Sequence, residues 1–211
     1  MMKTSFYKLA ALAGITMLTV MTAEAAETTS PQLPVPAAAQ LCTSCHGAQG
    51  QGIDIIGPRL AGLSADYISN QLALFHAGKR QNPTMLAMAA TVQGDNIAVV
   101  AQYFSQQPVA DIPLQFRGDK VGISDPFEKL AFQGDWSRTI PACVSCHGPS
   151  AVGGGQFPRL AGQQASYLKT QLLAWQEGSR TGDADNMMGN IALKLTAAEI
   201  DGLSQFFANI K

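Results

Sequence analysis

Apolar side chains recur at intervals of three and four along two stretches of the chain. Tyr67, Ile68, Leu72 and Phe75 share one face of a segment that runs to about Gly78, with Ser64 placed to cap its start. Tyr167, Leu168, Leu172 and Trp175 repeat the pattern 100 residues later. A helix is also predicted over Asn96 to Gln106, with Asp95 as its cap. Its counterpart begins at the capping-box pattern Thr196-Ala-Ala-Glu199, ahead of Ile200, Leu203, Phe206 and Phe207. No alternating strand of useful length interrupts these segments. The expectation is an all-α chain of short helices joined by Gly/Pro loops.

The first 25 residues read as an export signal instead of fold. Lys3 and Lys8 precede an uncharged run from Leu9 to Ala23, and Ala23-Glu24-Ala25 closes it with a small-x-small cleavage pattern. The run falls short of the roughly 20 residues that cross a bilayer, with an uncleaved anchor as the alternative. The mature chain is expected to start at Ala26 and to work in the periplasm.

Behind the helical pattern lies a duplication. Cys42-Thr-Ser-Cys45-His46-Gly47 returns as Cys143-Val-Ser-Cys146-His147-Gly148, and Pro58-Arg-Leu-Ala-Gly62 returns unchanged as Pro158-Arg-Leu-Ala-Gly162. Tyr67, Gln71, Leu72 and Arg80 are matched by Tyr167, Gln171, Leu172 and Arg180, and Tyr103-Phe104 by Phe206-Phe207. The expected organisation is a signal peptide over 1–25, a first domain over 26–107, a linker over 108–125 and a second domain over 126–211. Pro108 to Pro126 contains prolines and glycines without a helical period.

Charge narrows the function. With 14 Lys+Arg against 15 Asp+Glu and no basic run, the chain has no electrostatic footprint for nucleic acid. Domains of about 80 residues have marginal cores, so something apolar is expected to fill each one.

The cysteines supply the candidate. All four lie in two C-x-x-C-H boxes. A thioredoxin-type dithiol belongs in a βαβ context, which the pattern lacks, and a zinc finger needs a second ligand pair. Haem c accounts for the whole box: two thiols three positions apart add to the vinyl groups of one porphyrin, and the adjacent imidazole lies under the iron. Two haem c groups consume every thiol.

The sixth iron ligand decides between electron transfer and small-molecule binding. Aligning the copies backward from the aromatic pairs sets Met85 on Met188, Met88 on Ile191 and Met187 on Thr84. A lone Met is ordinarily core filler. The paired position of Met85 and Met188, each about 40 residues beyond its box and expected in a loop before the last helix, points to ligation.

These features together resemble the dihaem cytochrome c4 family, two tandem domains of the class I cytochrome c fold, over nearly all of the mature chain. The resemblance implies an electron carrier without a substrate of its own, shuttling single electrons to a partner such as a terminal oxidase or cytochrome complex. The alternative is the dihaem subunit of a flavin-dependent sulfide dehydrogenase, with a flavoprotein partner. Membrane contact would come only through partners or an uncleaved anchor. By the same resemblance Cys42, Cys45, Cys143 and Cys146 attach the haems, His46 and His147 are proximal ligands, and Met85 and Met188 distal ones. Pro58 and Pro158 match the family proline whose carbonyl accepts the imidazole's outer proton. Arg59 and Arg159 are candidates to pair with haem propionates, against the alternative of solvated surface arginines.

The copies differ before the boxes. Phe127, Leu130 and Phe132 form a helical stretch in the second, whereas the first has only Pro36-Ala-Ala-Ala-Gln-Leu41, so its N-terminal helix is expected to be short. His76 falls on Gln176 and reads as a plain exposed histidine near a helix end. Trp136 and Trp175 are candidates to face haem edges.

Overall fold

The computed structural model describes Met1, Met2 and residues 33–211. The expected export signal lies outside the described residues.

Residues 33–211 form one compact unit in which both copies are helical. In the first copy a single 3₁₀ turn, Ala37–Ala39, runs straight into α1 (Gln40–His46), followed by α2 (Ala65–His76), α3 (Pro83–Ala90) and α4 (Asp95–Ser105). The second copy has α5 (Pro126–Gln133), α6 (Val144–His147), α7 (Ala165–Gln176), α8 (Met187–Ala192) and α9 (Ala197–Ala208). Among the described residues, β-pairing is limited to isolated bridges. The all-α expectation holds.

Local chemistry sets the helix ends. The Ser64 hydroxyl accepts from the Tyr67 N–H at 3.1 Å, as expected of a cap. Thr196 and Glu199 form the predicted capping box. Asp95 departs from expectation: it is the first helical residue of α4, and the cap is Gly94 at φ +58°, a left-handed conformation that glycine adopts without strain. Asp95 still places a carboxylate at the positive end of the helix.

Each core lies between the long helices of its own copy. Ile68, Phe75, Val100 and Phe104 are buried in the first, where α2 packs on α4. Leu168, Ile200, Leu203 and Phe207 do the same in the second, where α7 packs on α9. In the second copy α5 crosses α9, and the Phe127 ring lies where a Cβ on Gly202 would meet it at 2.2 Å. In the first copy, among the described residues before the box, the Ala37–Ala39 turn packs on α4, with Ala39 fully buried. The position matching Gly202 is Val99, 41% exposed.

The connection between the copies is pinned down. Ser150 holds it through the Pro113 carbonyl at 2.7 Å and both polar backbone groups of Gln115, and the Arg159 guanidinium reaches the Ala110 carbonyl at 3.3 Å. The Lys120 ammonium pairs with Glu128 of α5 at 2.6 Å.

Candidate haem sites

Each box sits at the end of a helix that stops at its histidine. Gly47 and Gly148 follow at φ +80° and +77°, turning the chain back on the imidazole. The return segment brings the matched prolines to it. His46 Nδ1 lies 2.7 Å from the Pro58 carbonyl oxygen, and His147 Nδ1 lies 2.8 Å from that of Pro158. A carbonyl can only accept, so the ring proton is on Nδ1 and Nε2 carries the free lone pair. Both rings are nearly buried. Burial lowers their pKa against the opposing carbonyl bond, with the positive charge of Arg80 on His46 and of Arg180 on His147 acting in the same direction as burial.

No disulfide joins any of the four cysteines. Burial raises the Cys42 pKa and pushes that of Cys143 up to about 12. A redox-active dithiol needs the opposite shift, toward thiolate.

In the second copy Cys143, Cys146, His147, Pro158 and Met188 line one largely apolar cavity of about 410 Å³. Tyr67 and Gln71 of the first copy close part of its wall. In the first copy Cys42 and Met85 pack against the same core. The two methionines stand on helices, α3 and α8, and not in the loops expected from sequence. Asn82 caps α3 by accepting from the Met85 N–H at 2.9 Å, ahead of Pro83 as first helical residue, and Asp183 accepts from the Met188 N–H at 2.6 Å. The apolar composition around each Met hid these short helices. Met88 and Met187 are each 37% exposed, although Met187 also reaches the cavity wall.

The other candidates separate. Arg159 is buried and donates to the Ala161 and Ala110 carbonyls, while the Arg59 backbone is gripped from both sides by Gln163, whose Oε1 accepts from its N–H and whose Nε2 donates to its carbonyl, both at 2.9 Å. Trp175 is buried on the cavity wall. Trp136 is 61% exposed beneath the Arg117 guanidinium and lies outside the lining of the second copy's cavity. His76 is exposed at the end of α2, with Nε2 2.7 Å from the Ala89 carbonyl.

The repeat named a further set of residues without giving them a task. Arg80 and Arg180 lie side by side in an antiparallel bridge where the copies meet. The Arg80 guanidinium donates to Tyr167 at 2.7 Å and Gln171 at 2.9 Å; the Arg180 guanidinium donates to Tyr67 at 2.9 Å and Gln71 at 3.0 Å. Each arginine also bonds the glutamine of its own copy. Gln163 and Gln164, which grip the first copy across the join, stand where the first copy has Leu63 and Ser64. That break in the repeat was the available signal.

The family described as Cytochrome c matches this chain over residues 37–112 and 138–211. The chain belongs to the cytochrome c family. Within it the likeness is to dihaem cytochromes c4: the crystal structure of reduced recombinant cytochrome c4 from Pseudomonas stutzeri superposes with a TM-score of 0.71 at 30% identity, covering 82% of this chain and 95% of that one. A thiosulfate dehydrogenase electron acceptor from Stutzerimonas stutzeri (strain A1501) is 40% identical, over 82% of this chain and 80% of that protein. The structure of thiosulfate dehydrogenase (TsdBA) from Marichromatium purpuratum matches at a TM-score of 0.70 and 39% identity, over 80% of this chain. This chain spans only 36% of that one.

A cytochrome c domain with an intact C-x-x-C-H box carries one covalent haem c, so this electron-transfer cytochrome binds two. The residues present fit the group: an apolar cavity, two unpaired thiols and an imidazole whose lone-pair nitrogen is free. Among the described residues no helix is long and apolar enough to cross a membrane.

Proposed function

We propose that this cytochrome is an exported, periplasmic carrier that accepts single electrons from a dehydrogenase of the thiosulfate-oxidising class and delivers them to a respiratory acceptor. The observation that carries this reading is the 40% identity, over 82% of the chain, to a protein named as the electron acceptor of a thiosulfate dehydrogenase. When bound, the haem iron supplies a one-electron Fe(III)/Fe(II) couple.

The chain's own residues set the terms of that exchange. Cys42, Cys45, Cys143 and Cys146 anchor the two groups. His46 and His147 present Nε2 because Pro58 and Pro158 hold the other ring nitrogen, a bond that fixes each ring and raises its basicity toward a metal. Met85 and Met188 would supply thioether sulfur to the bound iron. A thioether raises the iron's potential relative to a second imidazole, and a position closed by protein leaves no room for a substrate.

The test is to mix the oxidised holoprotein with purified thiosulfate dehydrogenase and thiosulfate and follow haem reduction. Reduction that depends on both supports the proposal. Reduction only by a flavoprotein with sulfide would transfer the chain to the flavin-dependent alternative.

A further inference from the structure

The helices that carry the two methionines are short, eight residues in α3 and six in α8, and helices of that length are marginal in water without ties to their surroundings. α3 packs on α2, and α8 on α7. At the end of α2, His76 Nε2 lies 2.7 Å from the Ala89 carbonyl oxygen. The carbonyl can only accept, so the ring donates from Nε2. At the end of α7, Gln176 Nε2 donates to the Ala192 carbonyl at 2.7 Å and to that of Leu195 at 3.0 Å. His76 and Gln176 are each the last residue of their helix. Ala89 and Ala192 each stand four residues, about one turn, beyond Met85 and Met188, so their side of the repeat is in register as well. Both alanines are buried, and their carbonyls also close the following turn by accepting from Val92 at 2.9 Å and Leu195 at 3.0 Å. Imidazole stands in one copy and amide in the other, yet both reach the same acceptor. What recurs is the hydrogen bond and not the side chain.

We propose that His76 and Gln176 are positioning residues for the distal ligands: each ties the far end of a methionine helix to the helix before it, and so keeps Met85 or Met188 in place as a ligand. The near ends are held separately, because Asn82 and Asp183 accept from the Met85 and Met188 N–H groups. With both ends fixed the short helix cannot swing. Loss of the far tie leaves it pivoting on the near one, and the thioether spends more time away from its site. Gln176 bonds two carbonyls and His76 one, so the first copy's methionine is the more readily displaced. This inference rests on the reading of Met85 and Met188 as the distal ligands.

The experiment titrates the oxidised dihaem holoprotein with imidazole, which can bind only where the methionine has left, so its apparent affinity scales with the open fraction. His76→Ala should tighten one of the two binding steps by about fivefold, the worth of one net hydrogen bond, and leave the other step alone. Gln176→Ala should tighten the other step. His76→Gln, which copies the second domain's donor into the first, should bind imidazole as the wild type does. Ser64→Ala removes the cap of α2 at the end away from α3 and should not change either step, although it weakens the same domain. A wild type without the near-infrared thioether band overturns the ligand assignment and this proposal with it. A wild type with the band, whose alanine variants bind imidazole no more tightly, overturns the tie alone. So does a Ser64→Ala variant that tightens binding as much as His76→Ala, because the effect would then be general loosening of the domain.

Discussion

The Phe127 ring of α5 rests on Gly202 of α9, where a Cβ would lie 2.2 Å from it. The helices cross this closely because the residue has no side chain. In the first copy the equivalent Val99 is 41% exposed, and among the described residues before the box it is the Ala37–Ala39 turn that packs on α4.

Gly202→Val, which copies the first domain's residue into the second, should push α5 off α9. Overpacking of this kind costs about 1–3 kcal/mol. Calorimetry of the holoprotein should show the second domain melting lower, while Val99→Gly in the first domain changes its packing little and acts mainly through helix propensity, by about 1 kcal/mol or less. Equal effects of the two changes would contradict the crossing described here.

Gln163 satisfies both backbone groups of Arg59 from the other copy and is 4% exposed. Gln163→Leu, the first copy's residue, strands the Arg59 carbonyl at the join, at about 1–3 kcal/mol for a group left dry, while the N–H keeps its bond to Gln164 Oε1 at 3.2 Å. The variant should melt in two separated steps and should be cut faster by protease in the segment between Pro108 and Pro126. A single unchanged transition would show that this contact contributes little to docking.

How far the sequence reaches follows from these two residues. Hydrophobic period, capping residues and the duplicated boxes were enough to predict the helices, the two-domain architecture and two haems, because each is a local signal. The join was not legible in that way. Two globular domains on a linker and two domains docked through Arg80, Arg180 and Gln163 have the same periodicity, and a buried arginine looks like a surface one until its neighbours are known. The duplication did mark Tyr67, Gln71 and Arg80 by repeating them, and repeated polar residues outside a haem box already asked for a shared task. The short helices carrying Met85 and Met188 escaped because six to eight residues do not establish a period.

Arg138 joins Asp135 to Glu199 of α9, at 2.6 and 2.5 Å. The Ser137 hydroxyl and then Arg138 hold the Asp135 carboxyl down to about 2, and Arg138 lowers that of Glu199. Both carboxyls are depressed in the folded state, so their stabilisation is present above the unfolded values of about 4 and is lost as pH falls toward the folded ones. The melting temperature of the wild type should exceed that of Arg138→Gln at neutral pH, with the gap closing as acid is added below about pH 4. A gap that persists at pH 2 would mean that Arg138 acts through packing instead of charge.

The central claim is that both irons are closed by histidine and methionine, which makes the chain a carrier. The weak near-infrared charge-transfer band of Fe(III) bound to thioether sulfur tests it most directly in the oxidised holoprotein. The account predicts a band of two-site intensity that Met85→Ala and Met188→Ala each reduce by about half and that survives Met88→Ala and Met187→Ala. Absence of the band in the wild type, or its loss on changing Met88 or Met187, would contradict the account.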